Sequence, residues 1–176
     1  MILLIGPSST GKTLLLKRLQ NNNSTSTKDE VPSTISTVGT NIMTVNVLRK
    51  AEVTIRELGG VMGPIWNNYY KDSHSIIFMI DMSKHTQLAV ACVELMTMLN
   101  HPSTQNLPLL ILLNKIDVQF GVTRFELDSL LRLDDLIKVA PQKITIIEIS
   151  ARTGNNLDKV ARWIYEQSKG KESTST

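Results

Sequence analysis

Four short stretches of the chain are almost unbroken in apolar residues: Met1–Ile5, Ser75–Ile80, Leu109–Leu113 and Ile144–Ile149. Runs of that length and character are how strands covered on both faces read, as in a parallel sheet. Asn41–Leu48 and Glu52–Glu57 behave differently, because polar and apolar residues alternate along them. The alternation turns Val45, Val47, Val53 and Ile55 toward a core and Thr44, Asn46, Thr54 and Arg56 away from it. With Arg49-Lys50-Ala51 as the connection, this pair reads as a hairpin at the sheet edge.

Helical spacing links Leu88, Cys92, Leu95 and Leu99, and again Leu157, Ala161 and Ile164. A further helix is expected to start at Gly11-Lys12-Thr13 and run through Leu14, Leu15 and Leu19, and a weaker one to cover Arg124–Leu131. Asp134-Asp135 reads as the cap of a short helical turn before Pro141. Strands alternating with helices, joined by right-handed crossovers, predict a doubly wound α/β sandwich. The expected architecture is a six-stranded, mostly parallel sheet with an antiparallel edge strand, flanked by about five helices. Ligands in such folds sit at the carboxyl ends of the strands.

A length of 176 residues suits one domain, placed here at residues 1–168, and 41% hydrophobic residues suffice for its core. Asn21–Thr34 is polar enough to read as a long loop, and Lys169–Thr176 as a disordered tail. The single cysteine, Cys92, excludes an internal disulfide and reads as a small apolar residue on a helix face. A net charge of +3, with scattered basic residues and no interleaved aromatics, argues against a nucleic-acid groove. No stretch approaches the roughly 20 apolar residues that span a bilayer. Met1–Ile5 is too short for a secretory signal, and no glycine follows Met1 to accept myristate. A soluble, monomeric, cytoplasmic protein without a direct membrane anchor is expected.

Gly6-Pro7-Ser8-Ser9-Thr10-Gly11-Lys12-Thr13 fits the phosphate-loop pattern G-x-x-x-x-G-K-[ST] and lies between an expected strand and an expected helix. Backbone amides of such a loop wrap phosphates, and the helix N-terminus points its dipole at them. Ser9, Thr10 and Gly11 therefore belong to the cradle, Lys12 reaches the β- and γ-phosphates, and the Thr13 hydroxyl coordinates Mg²⁺. Asn114-Lys115-Ile116-Asp117 follows the strand Leu109–Leu113 and separates guanine from adenine. A buried carboxylate there, Asp117, accepts hydrogens from guanine N1 and N2 that adenine does not offer. Ser150-Ala151-Arg152, after Ile144–Ile149, completes the base pocket with amides near guanine O6.

With these motifs in place the chain resembles the Ras superfamily of small GTPases, and within it the Arf-like branch, from Met1 to about Ser168. Thr37-Val38-Gly39-Thr40-Asn41 resembles the Arf switch I signature T-x-G-x-N. Glu57-Leu58-Gly59-Gly60, with Pro64-Ile65-Trp66 and Tyr69-Tyr70, resembles switch II, and Ile80-Asp81-Met82-Ser83 a strand end of that branch. The resemblance implies a small G-protein fold and a molecular switch driven by GTP, GDP and Mg²⁺. It implies that Thr37 binds Mg²⁺ and the γ-phosphate, that the Gly60 amide bonds the γ-phosphate, and that position 57 supports the metal. Losing the γ-phosphate releases both segments. Effector proteins, an exchange factor and a GTPase-activating protein are the implied partners.

The chain departs from the branch in ways that bear on function. The family's water-orienting glutamine is replaced by Val61, which neither donates nor accepts that hydrogen bond, and Val61-Met62-Gly63 is shorter than usual. No catalytic residue beyond the assistance of Thr37 and Gly60 is assigned, so hydrolysis is expected to be slow or dependent on a partner. Glu57 stands where Asp is usual. The sequence as it begins leaves no room for the amphipathic helix that commonly precedes the first strand, either naturally or because the N-terminus is trimmed, so insertion by that route is not expected. Of three aromatic effector contacts only Tyr69 is kept, with Thr40 and Arg56 at the other two. His74, His85 and His101 lack metal-ligand spacing. Trp66 and Tyr69 fit either effector contacts or packing beneath switch II, and Trp163 fits core packing. A regulatory GTPase and a GTP-gated scaffold that rarely hydrolyses both remain open. An ATPase or nucleotide kinase is disfavoured by the Asn114–Asp117 motif and by the lack of an Arg-rich lid.

Overall fold

A computed structural model of the chain describes residues 1–21 and 32–169. Most of the loop expected at Asn21–Thr34, and all but the first residue of the expected tail, lie outside them. The chain order is β1 (Ile2–Ile5), α1 (Lys12–Asn21), β2 (Thr40–Val47), β3 (Ala51–Leu58), a 3₁₀ helix (Gly60–Tyr69), β4 (Ser75–Asp81), α2 (His85–Leu99), a short 3₁₀ turn (Pro102–Thr104), β5 (Leu109–Asn114), α3 (Arg124–Leu131), α4 (Leu133–Val139), β6 (Ile144–Ile149) and α5 (Leu157–Lys169). Lys169 thus closes a helix instead of opening a tail.

The six strands form one sheet in the order β2-β3-β1-β4-β5-β6. Only the β2–β3 pair is antiparallel, running from Thr40↔Leu58 to Val47↔Ala51. Successive side chains on a strand face opposite ways, so the unbroken apolar runs feed two cores. Leu3, Ile5, Phe78, Ile80, Ile111 and Leu113 pack under α2 and α3. Ile2, Leu4, Ile77, Met79, Leu110 and Leu112 pack under α1 and α5, where Trp163 is also buried. β6 departs from the expectation of full coverage: only Ile149 is buried and Glu148 is exposed. It is the outer strand of the sheet, with a neighbour on one side only.

Val45, Val47, Val53 and Ile55 face the core as the alternation requires. The hairpin connection is Leu48–Lys50, one residue earlier than expected, because Ala51 already pairs with Val47. Leu48 and Arg49 both adopt left-handed backbone, φ 56° and 55°, and the Lys50 amide donates to the Val47 carbonyl at 3.0 Å.

Helix α3 starts on a capping box. The Thr123 hydroxyl accepts from the Glu126 amide while the Glu126 carboxylate accepts from the Thr123 amide. Arg132, at φ 46°, ends α3 and opens α4. Asp134 and Asp135 therefore lie inside the first turn of α4 and do not cap it. Their charge still complements the helix dipole there, and Asp135 pairs with Arg132 at 2.6 Å. No helix among the described residues is long and apolar enough to cross a membrane.

Candidate nucleotide-binding site

The loop from Gly6 to Thr13 leaves the carboxyl end of β1 and enters α1, so it opens at the sheet's central edge. Its backbone takes left-handed or glycine-only angles at Gly6 (φ 140°), Ser9 (φ 63°) and Gly11 (φ 100°). A methyl group on Gly6 would stand 2.3 Å from the Met79 carbonyl oxygen, and one on Gly11 2.5 Å from Asn114 Nδ2. Both glycines are thus required by close approach as well as by conformation. The Lys12 ammonium folds back over the loop and donates to the carbonyls of Gly6 (2.7 Å) and Pro7 (2.8 Å). Burial lowers its pKa to about 8 against the opposing attraction of Glu57 and Glu94. An anion in the loop would raise it again by favouring the charged form. Thr10 does not turn its side chain to the cleft; its hydroxyl donates to the Pro7 carbonyl at 3.1 Å. Any contact from Thr10 to a ligand must come from its backbone.

Beside the loop, three residues far apart in sequence bring oxygen to one point. Thr13 Oγ1 lies 3.0 Å from Thr37 Oγ1 and donates to Glu57 Oε1 at 2.5 Å. Thr37 Oγ1 donates to the same oxygen at 3.2 Å, and Asn41 Nδ2 to Glu57 Oε2 at 3.3 Å. Glu57 is 1% exposed, so a carboxylate is buried here among neutral donors. Among the described residues no cluster of three or more His, Cys, Asp or Glu exists. A site of one carboxylate and hydroxyls fits a hard cation that takes its other ligands from water and phosphate, as Mg²⁺ does. Thr13, Thr37 and Glu57 also line a cleft of about 210 Å³ with Ser8, Ser9, Lys12 and Gly60. A methyl group on Gly60 would lie 2.1 Å from the Ser8 amide nitrogen, and one on Gly59 2.2 Å from the Thr37 carbonyl. The two switch segments are therefore drawn onto the phosphate loop and onto each other.

The base-side residues leave the ends of β5 and β6. Asn114 is buried and acts as a tie: its Nδ2 donates to the Thr10 carbonyl at 2.7 Å and its Oδ1 accepts from the Ala151 amide at 2.9 Å. Asp117 Oδ1 accepts from the Ser150 hydroxyl at 2.6 Å. Contrary to expectation Asp117 is exposed, because it sits on the turn beyond the strand. Ser150 and Ala151 are buried, and the Arg152 carbonyl accepts from Arg18 at 2.6 Å. Lys115 takes φ 71° and pairs with Asp81 at 2.6 Å. Asp81 is 2% exposed, and its other oxygen accepts from Ser83. Sequence reading missed Asp81 as part of this loop system. Its place at the end of a buried strand, on the same edge as the motifs, was the available signal.

The 3₁₀ helix Gly60–Tyr69 was also missed, since Gly and Pro conceal its periodicity. Trp66 settles the choice left open for it. It is buried edge-on against Phe78, with centroids 6.2 Å apart, and its Nε1 donates to the Gly59 carbonyl at 3.3 Å. Tyr69 is half-buried beneath the Arg56 guanidinium at 5.3 Å. Val61 is 66% exposed. Of the histidines, His101 caps the Pro102–Thr104 turn and stacks edge-on with Tyr70. His85 lies 3.5 Å from Glu126. Cys92 is half-buried on α2, and burial pushes its thiol pKa up.

The sequence profile of the ADP-ribosylation factor family matches residues 1–168. The chain is similar to human ADP-ribosylation factor-like protein 16, with 46% identity over 167 residues, covering 93% of this chain and 84% of that protein. It is also similar to ADP-ribosylation factor-like protein 1 of Caenorhabditis elegans, with 32% identity over 168 residues, 94% of this chain and 87% of that protein. Among solved structures, the Arl6 small GTPase from Trypanosoma brucei with bound nucleotide analogue GppNp superimposes with a TM-score of 0.78. It covers 96% of both chains at 24% identity, a likeness of fold.

Proposed function

The chain belongs to the ADP-ribosylation factor family, and from that premise we propose that it is an Arf-like guanine-nucleotide switch that binds GTP and GDP with Mg²⁺ and recruits cytoplasmic effector proteins in its GTP form. The observation that carries this reading is the meeting of Thr13, Thr37 and Glu57 beside the phosphate loop. Thr13 is fixed by the loop, whereas Thr37 comes from the segment that precedes β2, with Gly39 tied to the Gly59 amide at 2.9 Å. Mg²⁺ held by these oxygens would withdraw charge from the phosphates, as the Lys12 ammonium would from the other side. The Gly60 amide would sense the γ-phosphate, so its loss frees Thr37 and Gly60 together. Asn114, Lys115, Asp117 and the Ser150–Arg152 turn would hold the guanine.

Turnover is a separate matter. Unassisted Ras-type hydrolysis is already on the order of 10⁻⁴ per second, and Val61 removes the side chain that orients the water. The rate of this chain alone is at or below that value, and an activating protein supplies the missing group. A second reading, a GTP-gated scaffold that does not hydrolyse, is favoured by the same valine. Single-turnover hydrolysis of bound GTP with Mg²⁺ separates them. Slow but measurable turnover supports the regulated switch, whereas tight GTP binding without turnover supports the scaffold. Val61→Gln should raise the rate by restoring a side chain that hydrogen-bonds and orients the attacking water. No gain would mean that position 61 does not reach the attacking water.

A further inference from the structure

Helix α2 turns Leu88, Ala91, Leu95 and Met98 into the core, yet the residue beside Leu95 is a carboxylic acid. Glu94 Oε1 lies directly under the 3₁₀ helix of switch II: a methyl group on Gly63 would stand 2.9 Å from it. Glu94 Oε2 is buried with no hydrogen-bond partner among the described residues, and so is Oε1 of Gln87. These two residues are seven apart, which puts them on the same side of α2 two turns from each other. Buried acceptors without donors call for an explanation.

Two titratable groups face Glu94 across its packing neighbours: Lys12 from the phosphate loop and Tyr70 at the end of switch II. Gly60–Tyr69 itself carries no formal charge. Burial outweighs the attraction of Lys12, so the carboxyl pKa rises to about 7. The same helix begins at Gly60, pressed against Ser8, in an arrangement where Thr37 has met Thr13 and Glu57. Its seat in this phosphate-closed arrangement is therefore an acid whose ionised form burial disfavours.

We propose that Glu94 is a positioning residue of the nucleotide switch: as a neutral carboxyl it seats the Gly60–Tyr69 helix on α2 in the phosphate-closed arrangement, and when ionised it loosens that seat. The inference rests on the reading of the chain as a GTP/GDP switch. Proton linkage fixes the sign. The seated state holds the proton up to about pH 7, whereas a released, solvated Glu94 returns toward the ordinary value of 4.5. Seating is fully favoured below the lower value, declines as pH rises between the two, and levels off above the upper one.

The test is the ratio of GTPγS to GDP affinity, with Mg²⁺, at pH 6 and pH 8, in the natural chain and in Glu94→Gln. The ratio should fall about tenfold from pH 6 to pH 8 in the natural chain beyond any change in Glu94→Gln, which shares the titration of the nucleotide's own phosphates. Glu94→Gln, a neutral isostere, should show only the change that the phosphates and Lys12 bring, without the further tenfold fall. Identical pH profiles for the natural chain and Glu94→Gln would overturn the proposal. Absence of guanine-nucleotide binding by the natural chain would overturn the switch reading itself, which the GDP affinity reports separately.

Discussion

At the scale of single residues, the site depends on a few atoms with little freedom to be anything else. Asn114 spans the gap between the phosphate loop and the base loop, satisfying both ends of its amide. Asp117 accepts from Ser150 through Oδ1, and in the proposed function its charge is turned to the base. An amide at 117 would place a donor against guanine's donors, and each charged hydrogen bond lost contributes about 1.5–3 kcal/mol. Asp117→Asn should therefore lower GTP affinity by about 10²-fold or more and raise affinity for xanthosine triphosphate, in a competition titration against a fluorescent nucleotide. An unchanged preference would remove Asp117 from the base pocket. Residue identity alone named this motif, because the carboxylate chemistry is local to it. It did not reveal the exposure of Asp117 or the inward turn of Thr10, since both depend on how neighbouring loops pack. Glu94 was illegible for the same reason: nothing in its local sequence says that switch II covers it.

At the scale of elements, periodicity carried most of the information. Unbroken apolar runs marked β1, β4 and β5 because both faces of those strands are buried, and alternation marked β2 and β3 because one face is not. The run at β6 misled as to burial, since an edge position is a property of sheet order and not of the strand's own residues. The 3₁₀ helix of switch II escaped detection because it is held by Trp66 and Gly59 rather than by a regular apolar stripe. The β2–β3 turn offers a test at this scale. Both Leu48 and Arg49 sit in left-handed backbone, which is unfavourable by about 1–2 kcal/mol for each ordinary L-residue, whereas Asn-Gly adopts it readily. Replacing the pair, Leu48→Asn with Arg49→Gly, should raise stability by about 1–2 kcal/mol, seen as a higher midpoint in urea with unchanged slope. A lower midpoint would mean that the Leu48 side chain contributes more than its backbone loses.

At the scale of the whole molecule, the sheet order places every motif on one edge. β1, β3, β4 and β5 end together, so the phosphate loop, Glu57, Asp81 and Asn114 are neighbours although they are widely separated in sequence. Sequence reading anticipated this edge from strand–helix alternation and right-handed crossovers. What it did not anticipate is the mutual contact of Gly59, Gly60, Thr37 and Ser8 that makes the two switches one unit. Under the proposed function a phosphate group and a metal would bind both halves of that unit at once. The central claim is tested most directly by equilibrium affinities for GTPγS, GDP and ATPγS, each with Mg²⁺ and with the metal chelated. The account predicts tight guanine-nucleotide binding that weakens sharply on chelation, with ATPγS weaker by about 10⁴-fold or more. Comparable affinity for ATPγS, or guanine-nucleotide binding indifferent to Mg²⁺, would contradict it.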